Sequence, residues 1–372
     1  MRLAVLLLAL LLAACGQPAP VAQESYVFGT RVEVLVWGAR GVAAQIATYE
    51  VLREFDRLHR TYHAWQPSEL TALNDAIAAG RPHAVSAELA ELIIAAQALT
   101  VQSEHLFDPG IGRLVALWGF HGDEFKPALP DAVALAALVA AKPSITDLTV
   151  STPPKSPDGA PPPTGGQKLL GRPGEFLERG SVVSSKNPAV ALDFGGYLKG
   201  AALDRAAAIL KTRGIRNALI NIGGNVLALG KKGDKPWRVG IQHPRSAAAG
   251  GAPLATLELH DGEAIGTSGD YQRYFEVDGR RYSHLIDPRT GLPATATQAL
   301  TVLIPPATAA GIESDVLSKP LFVAGDNWLA LAQKIGVTQV LRIDAAGKIA
   351  VTAALRQRLA FDPANPDVSV VQ

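Results

Sequence analysis

Apolar residues recur at helical spacing along residues 42–59. Ile46, Val51, Leu52, Phe55 and Leu58 fall on one face, with Glu50, Arg53, Glu54 and Arg57 opposite, which predicts an amphipathic helix. Residues 86–103 repeat the pattern with Leu89, Leu92, Ile93 and Ala96 behind Ser86, whose hydroxyl can satisfy an early backbone N–H. Ser68 can cap a short helix in the same way. Residues 130–141, 309–322 and 328–335 read as further helices, with Pro320 interrupting or ending the second of these. Strands are expected at 26–37 with Gly29 as a break, at 215–229 as two strands about a Gly-Gly turn, and at 237–242, 254–259, 297–304 and 339–343. Residues 189–210 read as a buried strand, a Gly-Gly turn and a helix. Helices and strands mix without regular alternation, so the pattern predicts an α+β chain rather than a doubly wound sheet.

Length and charge narrow this only slightly. The chain has 372 residues, enough for one large or two ordinary domains. Its net charge of +1 offers no electrostatic reason for a nucleic-acid partner. Residues 151–180 turn to Pro, Gly, Lys and Ser, a composition that cannot bury enough apolar surface to order itself. They read as a mobile surface insertion in a domain spanning 26–360, and 361–372 as a loose tail. At the other end, Met1-Arg2 precedes ten apolar residues, 3–12, the last of which opens Leu12-Ala13-Ala14-Cys15. This run is too short to span a bilayer and resembles a bacterial lipoprotein signal. The resemblance implies removal of 1–14, acylation of Cys15 and a lipidated tether over 15–25. That places the protein at the bacterial cell envelope, anchored in a membrane and facing the periplasm. Cys15 is the sole cysteine, so thiol chemistry and disulfides are excluded from the rest of the chain.

Candidate chemistry concentrates in residues 264–293. Thr267, Ser268, Asp270, Tyr271 and Arg273 lead into a hairpin with Asp278-Gly279 at its turn, followed by Tyr282, Ser283, His284, Asp287 and Arg289. Among the eight histidines only His284 sits within a polar constellation, so the others default to core or surface roles. Glycine pairs at 195–196 and 223–224 follow apolar runs, where backbone N–H groups can approach an anion. Asp193 precedes the first pair and Lys199 follows it. Asp315 lies inside an apolar helix, where a lone charge is costly. Either Lys319 one turn later pairs with it, or it binds a hard cation such as Mg²⁺.

Taken together, the separated motifs resemble the ApbE family of FAD:protein FMN transferases. They are Phe28-Gly29-Thr30, Ser68-Glu69-Leu70 to Asn74, Phe107-Asp108-Pro109 with Leu117-Trp118-Gly119-Phe120, and Leu192-Asp193-Phe194-Gly195-Gly196-Tyr197-Leu198-Lys199-Gly200. Asn221-Ile222-Gly223-Gly224-Asn225, Thr267-Ser268-Gly269-Asp270-Tyr271, His284-Leu285-Ile286-Asp287-Pro288-Arg289-Thr290-Gly291 and Ser314-Asp315-Val316-Leu317-Ser318 complete the set. The resemblance implies an α+β, T-fold-related domain with mixed and antiparallel sheets and packed helices. It implies FAD as substrate, Mg²⁺, and transfer of FMN to a threonine of a partner redox protein with release of AMP. By the same resemblance, Phe28, Leu106, Phe107, Asp108, Asp193, Lys199 and Ile286 contact FAD. Gly196 and Asp315 hold the metal, and His284 is the catalytic residue. Two positions depart from the family pattern: Phe28 stands where Met is usual, and Lys319, followed by Pro320, where a threonine metal ligand is usual. A charged lysine cannot ligate a metal, which leaves two alternatives beside transfer: an FAD-carrying lipoprotein, or a pyrophosphatase releasing FMN and AMP.

Overall fold

The computed structural model describes residues 20–39, 41–122, 125–151, 181–245, 252–363 and 367–372. In chain order these form β1 (Val21–Val27), β2 (Thr30–Val36), α1 (Val42–Thr61), α2 (Glu69–Ala78), β3 (His83–Val85), α3 (Ala87–Gln102), α4 (Gly112–Leu117) and α5 (Ala132–Ala141). Next come β4 (Leu148–Ser151), β5 (Ser181–Ser185), α6 (Leu198–Thr212), β6 (Ala218–Ile222), β7 (Asn225–Leu229), β8 (Trp237–Ile241) and β9 (Ala255–Leu259). β10 (Ala264–Gly269), β11 (Tyr274–Val277), β12 (Arg280–Ser283), β13 (Thr297–Ile304), α7 (Ala310–Val323) and α8 (Trp328–Lys334) follow. The last elements are β14 (Val340–Asp344), β15 (Ile349–Thr352), α9 (Ala353–Arg356), β16 (Leu359–Phe361) and β17 (Val368–Val371).

Strand alternation sorts side chains onto the two faces of a nine-stranded sheet, ordered β1-β2-β6-β7-β10-β13-β14-β15-β17. Leu227, Leu229, Val302, Ile304 and Val340 join a large core with α1, α6 and α7. Their neighbours Val226, Ala228, Leu303, Leu341 and Ile343 face away, onto a small sheet ordered β16-β9-β8 that supplies Trp237, Leu257 and Leu359. Both faces of β13 are covered, so all eight of its residues are buried. That is why 297–304 shows no alternation of apolar and polar positions, and why Thr297, Gln298 and Thr301 are buried along with its apolar residues. All ladders in the large sheet are antiparallel except β15 with β17, in accord with the α+β expectation.

Several boundaries differ from the sequence reading. β1 begins at Val21 and pairs residue by residue with β2, so part of the expected tether is sheet. The cause is the partner strand, which one strand's pattern cannot show. The Phe28-Gly29 break is the turn of that hairpin. On α1, Ile46 is 46% exposed, and the buried stripe runs instead through Ala44, Ala47, Thr48, Val51, Phe55 and Leu58. The expected strand at 189 reduces to one bridge between Ile111 and Ala191. Pro320 is buried inside α7 and does not end it; tertiary burial outweighs its poor helix propensity. The expected loose tail carries β17. Cys15 and the insertion at 152–180 lie outside the described residues.

Close approach of backbones organises the layer that will matter for the site. A Cβ on Gly266 of β10 would sit 2.1 Å from the Ser314 carbonyl oxygen, and one on Gly200 of α6 2.5 Å from that of Gly311. These glycines let α7 settle against both β10 and α6. Gly266→Ala is therefore expected to destabilise the fold by about 1–3 kcal/mol. A thermal melt followed by circular dichroism checks this, and an unchanged midpoint would contradict the assignment.

Candidate active site

Between the end of α1, the α3–α4 connection, the start of α6 and the β11–β12 hairpin lies a cavity of about 720 Å³, within the range of roughly 300–1,000 Å³ common for cofactor-sized ligands. Phe28, Leu106, Phe107, Asp108, Asp193, Gly196, Lys199, His284 and Ile286 all line it. The fold thus brings together nine residues drawn from four separate stretches of the chain. Asp315 does not line it; Lys319, which stands in front of Asp315, does.

Local backbone geometry explains how each group arrives. Phe28 adopts φ 57° and Gly29 φ 68°, the positive values that a tight hairpin turn requires. A bulky residue rarely holds that conformation. Here it turns the Phe28 ring toward Phe55 and edge-on to His59, with centroids 6.2 and 5.6 Å away. Glu104 and His105 are also left-handed, at φ 55° and 61°, and swing Leu106 and Phe107 inward. Asp108 is spent on the backbone: its Oδ1 accepts from Gly110 N at 2.8 Å and Ile145 N at 2.9 Å. Burial raises its pKa despite those bonds. Asp193 Oδ1 accepts from Gly195 N at 2.8 Å, and burial likewise raises its carboxyl.

The hairpin is fixed by aromatic packing. Trp118, Phe275, Tyr282 and Phe120 stack in series with centroids 5.5–6.3 Å apart, and Trp118 Nε1 donates to the Gly291 carbonyl at 2.7 Å. His284 follows β12 directly. Its backbone N–H and its Nδ1 both reach the Arg273 carbonyl oxygen, each at 3.1 Å. A carbonyl only accepts, so Nδ1 carries the proton and Nε2 keeps its lone pair. Burial, then the Arg273 and Lys199 charges, push the His284 pKa down to about 3. The imidazole is therefore neutral.

The lining combines two chemistries. One is ring-rich: Phe28, His59, Tyr62, His63, Trp65 and His121. The other is cationic: Lys199, Arg273 and Lys319. The Arg273 guanidinium donates through Nη2 to the Phe120 and Gly122 carbonyls, and among the described residues its buried Nε has no partner. A flat ring joined to a polyanion suits such a space.

Behind the cationic wall, Asp315 is almost fully buried. Its Oδ2 accepts from Gly200 N at 2.9 Å, and its Oδ1 from Asn225 Nδ2 at 2.9 Å and Lys319 Nζ at 2.6 Å. Burial alone would raise this carboxyl, but the Lys319 and Lys199 charges and these donors hold it below its ordinary value. Burial draws Lys319 below its own ordinary value while Asp315 opposes. Three donors on one carboxylate favour the ionised pair. Asp315 and Lys319 thus form the i,i+4 ion pair that was one of the two sequence alternatives.

The sequence reading missed His59, His63 and His121, which it left to core or surface roles. Their signal is spatial only: α1 ends where the chain after α4 returns. His63 Nδ1 accepts from the N–H groups of Trp65 and Gln66, each at 3.1 Å. Conversely, much of the polar stretch around the hairpin is structural. Asp287 binds the Arg289 guanidinium and backbone, Asp270 pairs with Arg245, and Ser268 meets Ser318.

Comparison with known proteins follows the same lines. Residues 28–341 match the model of the ApbE family. A FAD:protein FMN transferase of Rhodobacter capsulatus is 40% identical over 92% of this chain; the chain spans 59% of that relative's length. Another of that name from Klebsiella pneumoniae is 30% identical over 81% of this chain and 78% of its own. Among solved structures, the ApbE protein of Thermotoga maritima superposes with a TM-score of 0.74 at 27% identity, covering 91% of this chain and 99% of its own. The flavinyl transferase ApbE of Pseudomonas stutzeri gives 0.72 at 27% identity, covering 92% and 98%.

The geometry makes one expectation for the ligand-free protein. The His284 ring should show no protonation near its ordinary value of 6.5 in an NMR pH titration. Protonation at that value would show that neither burial nor the three cations depress it.

Proposed function

Because the chain belongs to the ApbE family, we propose that it transfers the FMN half of FAD to a threonine hydroxyl of an acceptor redox protein, releasing AMP. The observation that carries this reading is a cavity lined both by aromatic and imidazole rings and by three cations, with a neutral His284 among them. In the proposed step the hydroxyl oxygen bonds to the FMN phosphorus. The bond from that phosphorus to the bridging oxygen breaks, and AMP departs with that oxygen. The hydroxyl proton passes to His284 Nε2, the nitrogen left free by the Nδ1 bond to Arg273. Lys199, and the Arg273 Nε that has no partner among the described residues, offer positive charge and a donor where phosphate oxygens gain charge. The diphosphate also neutralises the cations that depress His284, so the base strengthens when substrate is bound.

Magnesium at Gly196 and Asp315 finds no support in the donor set. Each Asp315 oxygen already faces an N–H donor, and an ammonium stands between the carboxylate and the cavity. No step is therefore routed through a metal.

We also propose that Cys15 carries the lipid anchor and holds the enzyme on the periplasmic side of the envelope. The order of basic start, short apolar run and cysteine supports this. Among the described residues no helix is long and apolar enough to cross a membrane.

The test is to incubate the full chain with FAD and a redox subunit, then weigh the acceptor by mass spectrometry. An FMN adduct on a threonine is expected, with His284→Gln slowing its formation by about 10²–10⁴-fold while FAD still binds. Free FMN and AMP with an unmodified acceptor would replace transfer by hydrolysis, and intact bound FAD would replace it by carriage. For the anchor, Cys15→Ser should move the protein from the membrane to the soluble fraction; retention in the membrane would refute lipidation at that residue.

A further inference from the structure

Lys319 occupies an unusual place for a lysine. Its Nζ lies 2.6 Å from Asp315 Oδ1 and 2.6 Å from the Asp315 carbonyl oxygen, one helical turn earlier on α7. The side chain passes over Gly196: a Cβ there would fall 2.7 Å from Lys319 Cε and 3.1 Å from Cδ. The absence of that Cβ is what lets the ammonium reach the cavity, which Lys319 lines together with Lys199 and Gly196. An ammonium has three donors. Two go to Asp315, and among the described residues no third acceptor meets Nζ, so one remains for a ligand.

The pair is locked from behind as well. Gly200 N and Asn225 Nδ2 hold the carboxylate, and the Asn225 amide oxygen accepts from Thr267 N at 3.3 Å. The amide thus presents its donor to Asp315 and its acceptor to β10. A divalent cation at this carboxylate would have to face an amide N–H₂ and displace an ammonium, both repulsive to it. A diphosphate in the cavity instead meets a positive charge that is already fixed in position.

Resting on the transferase reading above, we propose that the Lys319 ammonium, held by Asp315 over Gly196, supplies the charge at the diphosphate that a divalent cation would otherwise supply. The transfer is then metal-independent. The ligand contact is a charge-assisted hydrogen bond from Nζ to a diphosphate oxygen, and no electron or proton need change place at Lys319. The charge strengthens that bond as the leaving phosphate gains charge.

The deciding experiment uses the full chain and two readouts, acceptor mass and FAD affinity by flavin fluorescence, each in EDTA and in excess Mg²⁺. Equal transfer in both media is the expected result. Transfer that needs Mg²⁺ overturns the proposal and leaves the transferase intact. If no adduct forms in either medium, the transferase reading fails and FAD affinity decides. Wild-type affinity indifferent to Mg²⁺, tenfold or more weaker in Lys319→Met and recovered in Lys319→Arg, supports Lys319 as the diphosphate's cation. Affinity that rises tenfold with Mg²⁺, or that is unmoved in Lys319→Met, overturns it. The wild-type comparison stands even if Lys319→Met fails to fold.

Discussion

A carboxylate in the interior has to be surrounded by donors, and the arrangement of this protein around Asp315 follows from that demand. An unpaired buried charge is intolerable, so Asp315 binds the backbone of α6 through Gly200, the β7 side chain Asn225, and Lys319 of its own helix. Those bonds require three elements to meet within a few ångströms. Gly200, Gly266 and Gly311 remove the side chains that would keep them apart. Removing one partner of such a pair typically costs about 3–5 kcal/mol, because the survivor stays buried and charged. The knot is thus structural and chemical at once: it ties the helices to the sheet and presents an ammonium to the cavity.

The cavity draws on a second constraint, the rigidity of the hairpin that carries His284. Stacked rings of Trp118, Phe120, Phe275 and Tyr282 bury its inner face, and the Arg273 carbonyl fixes both the ring orientation and the tautomer. Charge then tunes the group. Burial first, and then the cations placed to receive a diphosphate, keep the empty site's imidazole neutral. Substrate binding and base strength are coupled through the same three side chains, without any need for a moving part.

The chain alone determined a good deal. Periodicity located α1, α3, β6 through β9 and β13 within a few residues, since their burial is written in short-range pattern. The Asp278-Gly279 turn was legible because both residues must adopt positive φ, here 51° and 73°. The glycine pairs, Asp193, Lys199 and His284 were identifiable as reactive types in suggestive neighbourhoods. Their convergence on one cavity, by contrast, was implied only by resemblance to a family.

Tertiary structure decided what depends on partners distant in sequence. β1 and β17 are strands because β2 and β15 offer them edges, and Pro320 stays helical because the surrounding core holds it. His59, His63 and His121 join the cavity wall because α1 and the segment after α4 end side by side. For Asp315 the sequence left two alternatives, a lysine pair or a metal. What favours the first is three-dimensional: Gly196 gives Lys319 a path, and Gly200 and Asn225 fill the remaining acceptor positions. Local sequence encodes periodicity and turn conformation, whereas the pairing of a buried charge depends on which long-range neighbours arrive around it.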